Sequence, residues 1–314
     1  MARGRVRRYV WCTYRAWSFH LLEGLQGLEG WQTGLIVTTR SCTASLDAFE
    51  RRGIPVVRVE DPARCFRKPG TVYDRIKRLR PETIFHYGWS WKVPQELLAL
   101  CPNVTLHPGK LPKDRGGSPL QNQIRHGETW TYANILKMTD EMDAGPVYAK
   151  AKMSLQGPVD EVWARMTTVG CRLTAAYLRR IATGKWQPRP QAHAAPTVYR
   201  RVTPEQAELR LDGSMTAVDM HNIIRAHSET DANTYVTPAY LACGDHRLVI
   251  QRSSLEAPRG NGHRRTVVIK DSGSFTGRDL VAVSADVMQG TRALALEDRG
   301  GRRVYLTRCY LGLR

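Results

Sequence analysis

No apolar run in this chain approaches the length that crosses a bilayer, and the opening Met1-Ala2-Arg3-Gly4-Arg5-Val6-Arg7-Arg8 lacks the apolar stretch of a secretory signal. The expectation is a soluble, cytoplasmic protein with no membrane partner. Seven cysteines lie scattered at 12, 42, 65, 101, 171, 243 and 309, odd in number and never spaced Cys-x-x-Cys. That pattern argues against a disulfide framework and against a zinc site, so no metal is expected. No Gly-x-Gly-x-x-Gly follows the first strand-like run and there is no Walker loop, so neither a nicotinamide cofactor nor nucleotide hydrolysis is indicated. Acidic residues are also few, 29 against 47 lysines and arginines, for a net charge of +18. Such an excess invites a polyanionic partner. Arginine is nevertheless spread along the chain, and its two concentrations, at 3–8 and 259–265, read as a frayed terminus and a hairpin tip as readily as binding sites. A positive cleft suits a nucleotide diphosphate equally well, so charge does not choose.

What is present is enough for two domains: 314 residues, 42% of them hydrophobic. Short β-prone runs at 9–13, 35–39, 56–59 and 83–87 alternate with helical spacing at 16–28, 45–52 and 72–79. This predicts α/β architecture, a doubly wound, Rossmann-like, mostly parallel sheet. A long amphipathic pattern at 159–183 predicts a helix covering that sheet. The connector Gln187-Pro188-Arg189-Pro190 through Pro196 is the best boundary. It divides the chain into 1–186, a linker at 187–197, and 198–314. In the last segment a helix at 217–226 and short strands at 235–242, 247–252, 265–270, 280–284, 291–296 and 303–310 predict a smaller, mostly antiparallel β domain.

The chemistry-bearing stretch is 103–145. A β-prone run, Val104 to Leu106, ends on His107, and prolines and glycines then forbid regular structure until Ser118-Pro119 can cap a helix. His107 therefore stands at a strand's carboxyl end, where open α/β sheets bind ligands. It is a candidate acid or base, or else a histidine satisfied by loop backbone. A second strand-like run, 131–138, ends in a turn carrying Asp143, and a carboxylate on a neighbouring strand end can orient the ring of His107 and stabilise its charge. Arg15, after the first strand, can fork onto phosphate or a sugar hydroxyl, or lie solvated beside a core tryptophan. In the strand exit 86–94, Trp89 and Trp91 offer faces for a flat heterocycle or for helix packing.

These residues resemble the folate-dependent formyltransferases. The resemblance rests on His107 followed by Leu111-Pro112-Lys113-Asp114-Arg115-Gly116-Gly117-Ser118-Pro119 and on the turn Asp143-Ala144-Gly145. The wording of 115–124 and 142–148 is closest to the branch acting on nucleotide-linked amino sugars. The resemblance implies that 1–186 is catalytic and that N10-formyltetrahydrofolate is the co-substrate. The pterin is then held by the 86–94 loop (Gly88, Trp89, Ser90, Val93, Pro94) with Asp140, and the acceptor by Arg15, Lys110, Arg115 and Gly116. The implied reaction moves a formyl group to the primary amine of a nucleotide-linked amino sugar, with initiator tRNA as the second candidate acceptor; the family's sugar enzymes are often homodimers. His107 and Asp143 relay the amine proton. The family carries asparagine two residues before the histidine, as donor to the developing oxyanion. This chain has Thr105 there, and strand alternation places Asn103 on the same face about 7 Å further back. Losing such a donor costs roughly 10²–10³ in rate, so the chain is expected to be a slow enzyme, to use another donor, or to bind without turnover.

Overall fold

Runs such as Val10-Trp11-Cys12 and Ile84-Phe85 carry apolar side chains on both strand faces, which is the pattern of a parallel sheet covered on both sides. The computed structural model describes residues 6–184, 186–192, 195–228, 237–243, 246–257, 266–269 and 293–313. The first half runs β1 (Arg7–Cys12), α1 (Ala16–Gly24), β2 (Trp31–Thr39), α2 (Asp47–Arg51), β3 (Val56–Val59), α3 (Thr71–Leu79), β4 (Thr83–His86), α4 (Gln95–Leu98), β5 (Asn103–Pro108), β6 (Arg115–Gly116), α5 (Pro119–Arg125), β7 (Trp130–Lys137), β8 (Val147–Ser154) and α6 (Val159–Ile181). Seven of these strands form one sheet in the order β3-β2-β1-β4-β5-β7-β8. β1, β2, β3, β4 and β5 are parallel, and β7 runs antiparallel to both β5 and β8. The strand order reverses between β1 and β4, so the crevice beyond their carboxyl ends is the expected ligand position for such a sheet.

Alternation along the strands builds two cores. Tyr9, Trp11, Ile36, Phe85, Val104 and Leu106 pack with α1 and α6 on one face. Val10, Cys12, Leu35, Val37 and Ile84 pack with Val72 and Ile76 of α3 on the other. The close seat of α6 on β5 depends on Gly170, where an added Cβ would lie 2.6 Å from Leu106 Cδ2 and 2.9 Å from Leu21 Cδ1. α1 is shorter than the helix expected over 16–28: it ends at Gly24, and Gly27 at φ +83° turns the chain toward β2.

After the connector come β9 (Val198–Tyr199), a 3-10 turn (Pro204–Ala207), β10 (Glu208–Leu209), α7 (Ala217–Ala226), β11 (Ala239–Cys243), β12 (His246–Ser254), β13 (Thr266–Ile269), β14 (Ala293–Glu297) and β15 (Arg303–Leu313). The second sheet has the order β10-β11-β12-β15-β14-β13, antiparallel at its centre and parallel at its two outer pairings. Its own core joins α7 to Leu241, Leu248, Ile250, Leu294 and Val304. Thr216 caps α7, accepting from Asp219 N at 3.1 Å while Asp219 Oδ2 accepts from Thr216 N at 2.9 Å. The strand expected at 280–284, the basic cluster at 259–265 and residues 3–5 lie outside the described residues. No helix among the described residues is long and apolar enough to cross a membrane.

Gly170→Val should force a branched side chain into Leu106 and Leu21 and lower stability in urea by about 1–3 kcal/mol, the usual cost of overpacking a core.

Candidate active site

β5 places His107 at its end, and the register fixes which way the ring points. Leu106 lies against Gly170 of α6, so His107, one residue on, projects from the opposite face. Asn134 of β7, opposite His107, holds the strand exit by donating to His107 O at 3.0 Å and to Gly109 O at 2.8 Å. The ring is 6% exposed and both its nitrogens face oxygen. Nε2 donates to the Asp114 carbonyl at 2.7 Å, and Nδ1 lies 3.4 Å from Asp143 Oδ2.

Two loops make that arrangement. Asp114 sits at φ +63°, its carboxylate accepting from Lys110 N at 3.0 Å, which turns its carbonyl back onto the ring. Asp143 sits at φ +51°, and its Oδ2 also accepts from Gly116 N at 2.9 Å. Gly145 closes the second loop so tightly that a Cβ there would fall 1.7 Å from Lys137 O. Only glycine fits.

The connector joins the two loops. Gln191 Nε2 donates to the carbonyls of Asp143 and Gly145 at 2.7 and 2.8 Å, and its Oε1 accepts from Arg115 Nη2 at 2.9 Å. Arg115, only 8% exposed, sends Nη1 to Glu141 at 3.0 Å. Asp114 N donates to Thr197 Oγ1 at 2.9 Å, and β6 pairs in parallel with β9. The segment expected as a linker is therefore threaded through the site. Neither Asn134 nor Gln191 carries a signal that sequence reasoning could have used: one sits inside a strand run, the other in a proline-rich stretch.

The remaining expected residues fall in three places. Thr105 donates its hydroxyl proton to His86 O at 3.1 Å. Asn103 does not serve as a reserve donor: both amide protons are spent on the carbonyls of Leu97 and Cys101, at 3.1 and 2.8 Å, and its Oδ1 accepts from His86 Nε2 at 2.8 Å. Alternation put it on the correct face, but its amide closes the β4–β5 crossover. Arg115 and Gly116, expected at the acceptor, are committed to Gln191, Glu141 and Asp143. Lys110 pairs with Glu128 and lies over the Trp130 ring at 4.6 Å.

At the switch point, Arg15 lies 4.4 Å above the Tyr14 ring and touches Gly88, whose φ is +74°. Ser90 is hydrogen-bonded to Tyr14 at 2.7 Å. Trp89 packs on Phe66 and Trp91, with ring centroids 5.2 Å away in each case, and its Nε1 is buried without a partner. Val93, after it, belongs to the α3-side core, and Pro94 caps α4. Lys92 bonds Asp140 at 2.7 Å, tying the 86–94 loop to the Asp143 loop and holding the Asp140 carboxyl below its ordinary range. In this aromatic cluster the buried, unsatisfied indole donor of Trp89 is the one feature that suits a flat, acceptor-rich heterocycle. Among the described residues no group of three or more metal-ligating side chains comes together.

The fold and this site define a doubly wound α/β protein with a buried histidine–carboxylate pair at a strand end. The formyl transferase family matches residues 26–166. The methionyl-tRNA formyltransferase of Lactobacillus delbrueckii subsp. bulgaricus is 28% identical over 232 residues, covering 72% of this chain and 71% of that protein. A sugar N-formyltransferase from Shewanella sp. superimposes with a TM-score of 0.62 at 16% identity, covering 81% of this chain and 100% of that one. HypX from Aquifex aeolicus, solved with tetrahydrofolic acid, gives a TM-score of 0.60 at 17% identity over 97% of this chain and 44% of its own. Over residues 26–166 the chain matches the formyl transferase family, and that match supports formyl transfer as its activity class.

Two measurements bear on this geometry. Gln191→Ala frees the Asp143 loop from the Arg115 loop, and kcat should fall about 10–100-fold, the scale of a misplacement near 1 Å, with the melting temperature little changed. Burial pushes the imidazoles of His86 and His227 down to about 4, from about 6.5. Both are neutral when folded, so their contribution is complete above about pH 6.5 and is lost as pH falls toward 4. Stability should drop there by up to about 1.4 kcal/mol per pH unit for each, and His86→Gln should flatten the slope in pH-dependent denaturation.

Proposed function

We propose that the chain transfers the formyl group of N10-formyltetrahydrofolate to the primary amine of a nucleotide-linked amino sugar. The observation that carries this reading is the His107–Asp143 pair, fixed at a strand end, with the aromatic 86–94 loop tied to the Asp143 loop through Lys92 and Asp140. The slot residues Trp89, Ser90 and Trp91, with Asp140 and Lys92 at its rim, would hold the folate, which supplies an activated formyl group when bound.

The work of the chain is to take a proton from the attacking amine. Gly109 keeps a side chain out of a crowded place beside the ring: a Cβ there would lie 3.1 Å from His107 Nε2 and 3.0 Å from Asp114 O. An amine entering on that side would replace the Asp114 carbonyl as the partner of Nε2. With the ring proton moved to Nδ1, facing Asp143, the free Nε2 lone pair would take the proton of the amine as its nitrogen bonds the formyl carbon, and would return it to the folate nitrogen as the bond from that nitrogen to the formyl carbon breaks. Asp143, held by Gly116 N, faces Nδ1 and stabilises the ring as it gains the proton. Thr105 lies on the same strand face, where its hydroxyl can turn from the His86 carbonyl toward the formyl oxygen.

A second reading, formylation of methionyl-tRNA, is favoured by the curated relatives, among them the Lactobacillus enzyme. Saturable formylation of uridine or thymidine diphosphate amino sugars supports the first reading; formylation of charged initiator tRNA alone supports the second. In either case His107→Asn should reduce transfer by at least about 10², the scale of a lost acid–base group, while a reduced folate analogue still binds in calorimetry. Loss of both together would make His107 a structural residue.

A further inference from the structure

The sheet face that carries His107 continues outward across β7 and β8. Register places His107 opposite Asn134 and Asn134 opposite Lys150, with Tyr132 opposite Lys152, so these side chains share one face. The other face of the same strands, with Ala133, Ile135 and Met153, is buried under α6. At about 4.8 Å per strand, the row from β5 to β8 reaches about 10 Å from the imidazole.

Its chemistry is aromatic and cationic. Trp130 and Tyr132 pack edge to face at 5.3 Å. Lys152 Nζ lies 4.4 Å from the Trp130 ring centre and Lys150 Nζ 4.6 Å from that of Tyr132. Neither lysine has a carboxylate partner among the described residues, whereas Lys110, also over Trp130, has Glu128. Lysines on an edge strand discourage pairing with another sheet, but that role needs neither ring. The other basic recess, a cavity of about 860 Å³ lined by Arg7, Arg8, Lys77 and Arg78, lies at the opposite ends of the strands and includes Asp74 and Glu82. Its lining has no aromatic residue.

We propose that the Trp130, Tyr132, Lys150 and Lys152 face seats the nucleotide part of the acceptor, its base stacked on the rings and its phosphates drawn to the two ammonium groups. Stacking surfaces flanked by cations take nucleotides with little base preference, each base contributing about tenfold or more in affinity. The cations over the rings are mobile stems, displaced by the incoming base onto the phosphates that follow it. This rests on the formyl-transfer reading for the identity of the acceptor, and the two fail separately.

The experiment is calorimetry on the full chain with uridine and thymidine diphosphate, inorganic pyrophosphate and unacylated tRNA, for the parent, Trp130→Ala and the double variant Lys150→Glu/Lys152→Glu. The expected result is nucleoside diphosphate binding weakened about tenfold or more by either variant, pyrophosphate binding weakened by the lysine variant alone, and unchanged binding of a reduced folate analogue. If tRNA alone binds, is weakened by both variants and loses salt dependence in the lysine variant, the seat stands and its nucleotide comes from RNA. Equal nucleotide binding by all three proteins, or no binding to the parent, overturns the proposal even if formyl transfer to an amine is found. So does a dimer in light scattering that Trp130→Ala dissolves without affecting nucleotide binding. Nucleotide binding that follows the variants in a protein with no transfer activity supports the seat and sinks only the reaction.

Discussion

A histidine whose ring has oxygen on both sides keeps one orientation only while both oxygens stay where they are. Here they belong to two different loops, one after β5 and one after β7, neither with regular structure of its own. Nε2 meets the Asp114 carbonyl and Nδ1 meets the Asp143 carboxylate. Each residue sits at positive φ, a strained setting for a side chain with a Cβ, which persists only where surrounding bonds over-determine it. The over-determination is visible: Lys110 N, Gly116 N, Gln191 and the Gly145 turn each fix one degree of freedom.

Much of that restraint comes from the connector, which ties the loops to each other and to the second sheet. Arg115 illustrates why its role is positional. Its ion pair runs to a Glu141 side chain that is 75% exposed, where solvent screening leaves little net energy. Its bond to Gln191 lies inside, in a network that loses more than one bond if any member is removed. The second half of the chain also touches the first at the far end of the β7–β8 hairpin: Arg225 of α7 donates to the carbonyls of Leu155 and Gly157 where β8 gives way to α6, and Arg252 of β12 binds Asp160 at 2.6 Å.

The alternating architecture was legible because parallel strands buried on both faces spell themselves out as β-branched and aromatic runs, and the His107 and Asp143 segments were legible because glycine and proline punctuate them. What was not legible follows from contacts that leave no periodic trace. Two-residue pairings such as β6 with β9 have no pattern to read. Gln191 acts through a side chain in a stretch whose composition says only that the chain is irregular. Alternation correctly put Asn103, Thr105 and His107 on one face, but a face says nothing about which hydrogen bonds a side chain has already made, and the Asn103 amide had spent all of its donors.

That last point bears on Thr105, where the resemblance led to an expectation of asparagine. Thr105 bonds the carbonyl of His86, His86 holds Asn103, and Asn103 holds the two carbonyls that close the crossover into β5. His86 stays neutral because burial disfavours its charge, so it donates through Nε2 and the chain of bonds has one direction. A threonine at the end of this chain gives up one neutral hydrogen bond, worth about 1 kcal/mol net, if it turns toward a developing oxyanion. An oxyanion donor is worth about 3–4 kcal/mol in the transition state. The exchange favours the reaction, by less than a donor with no competing partner would provide. In the proposed reaction position 105 would therefore act on turnover rather than on binding, since its gain would be realised only where negative charge builds up.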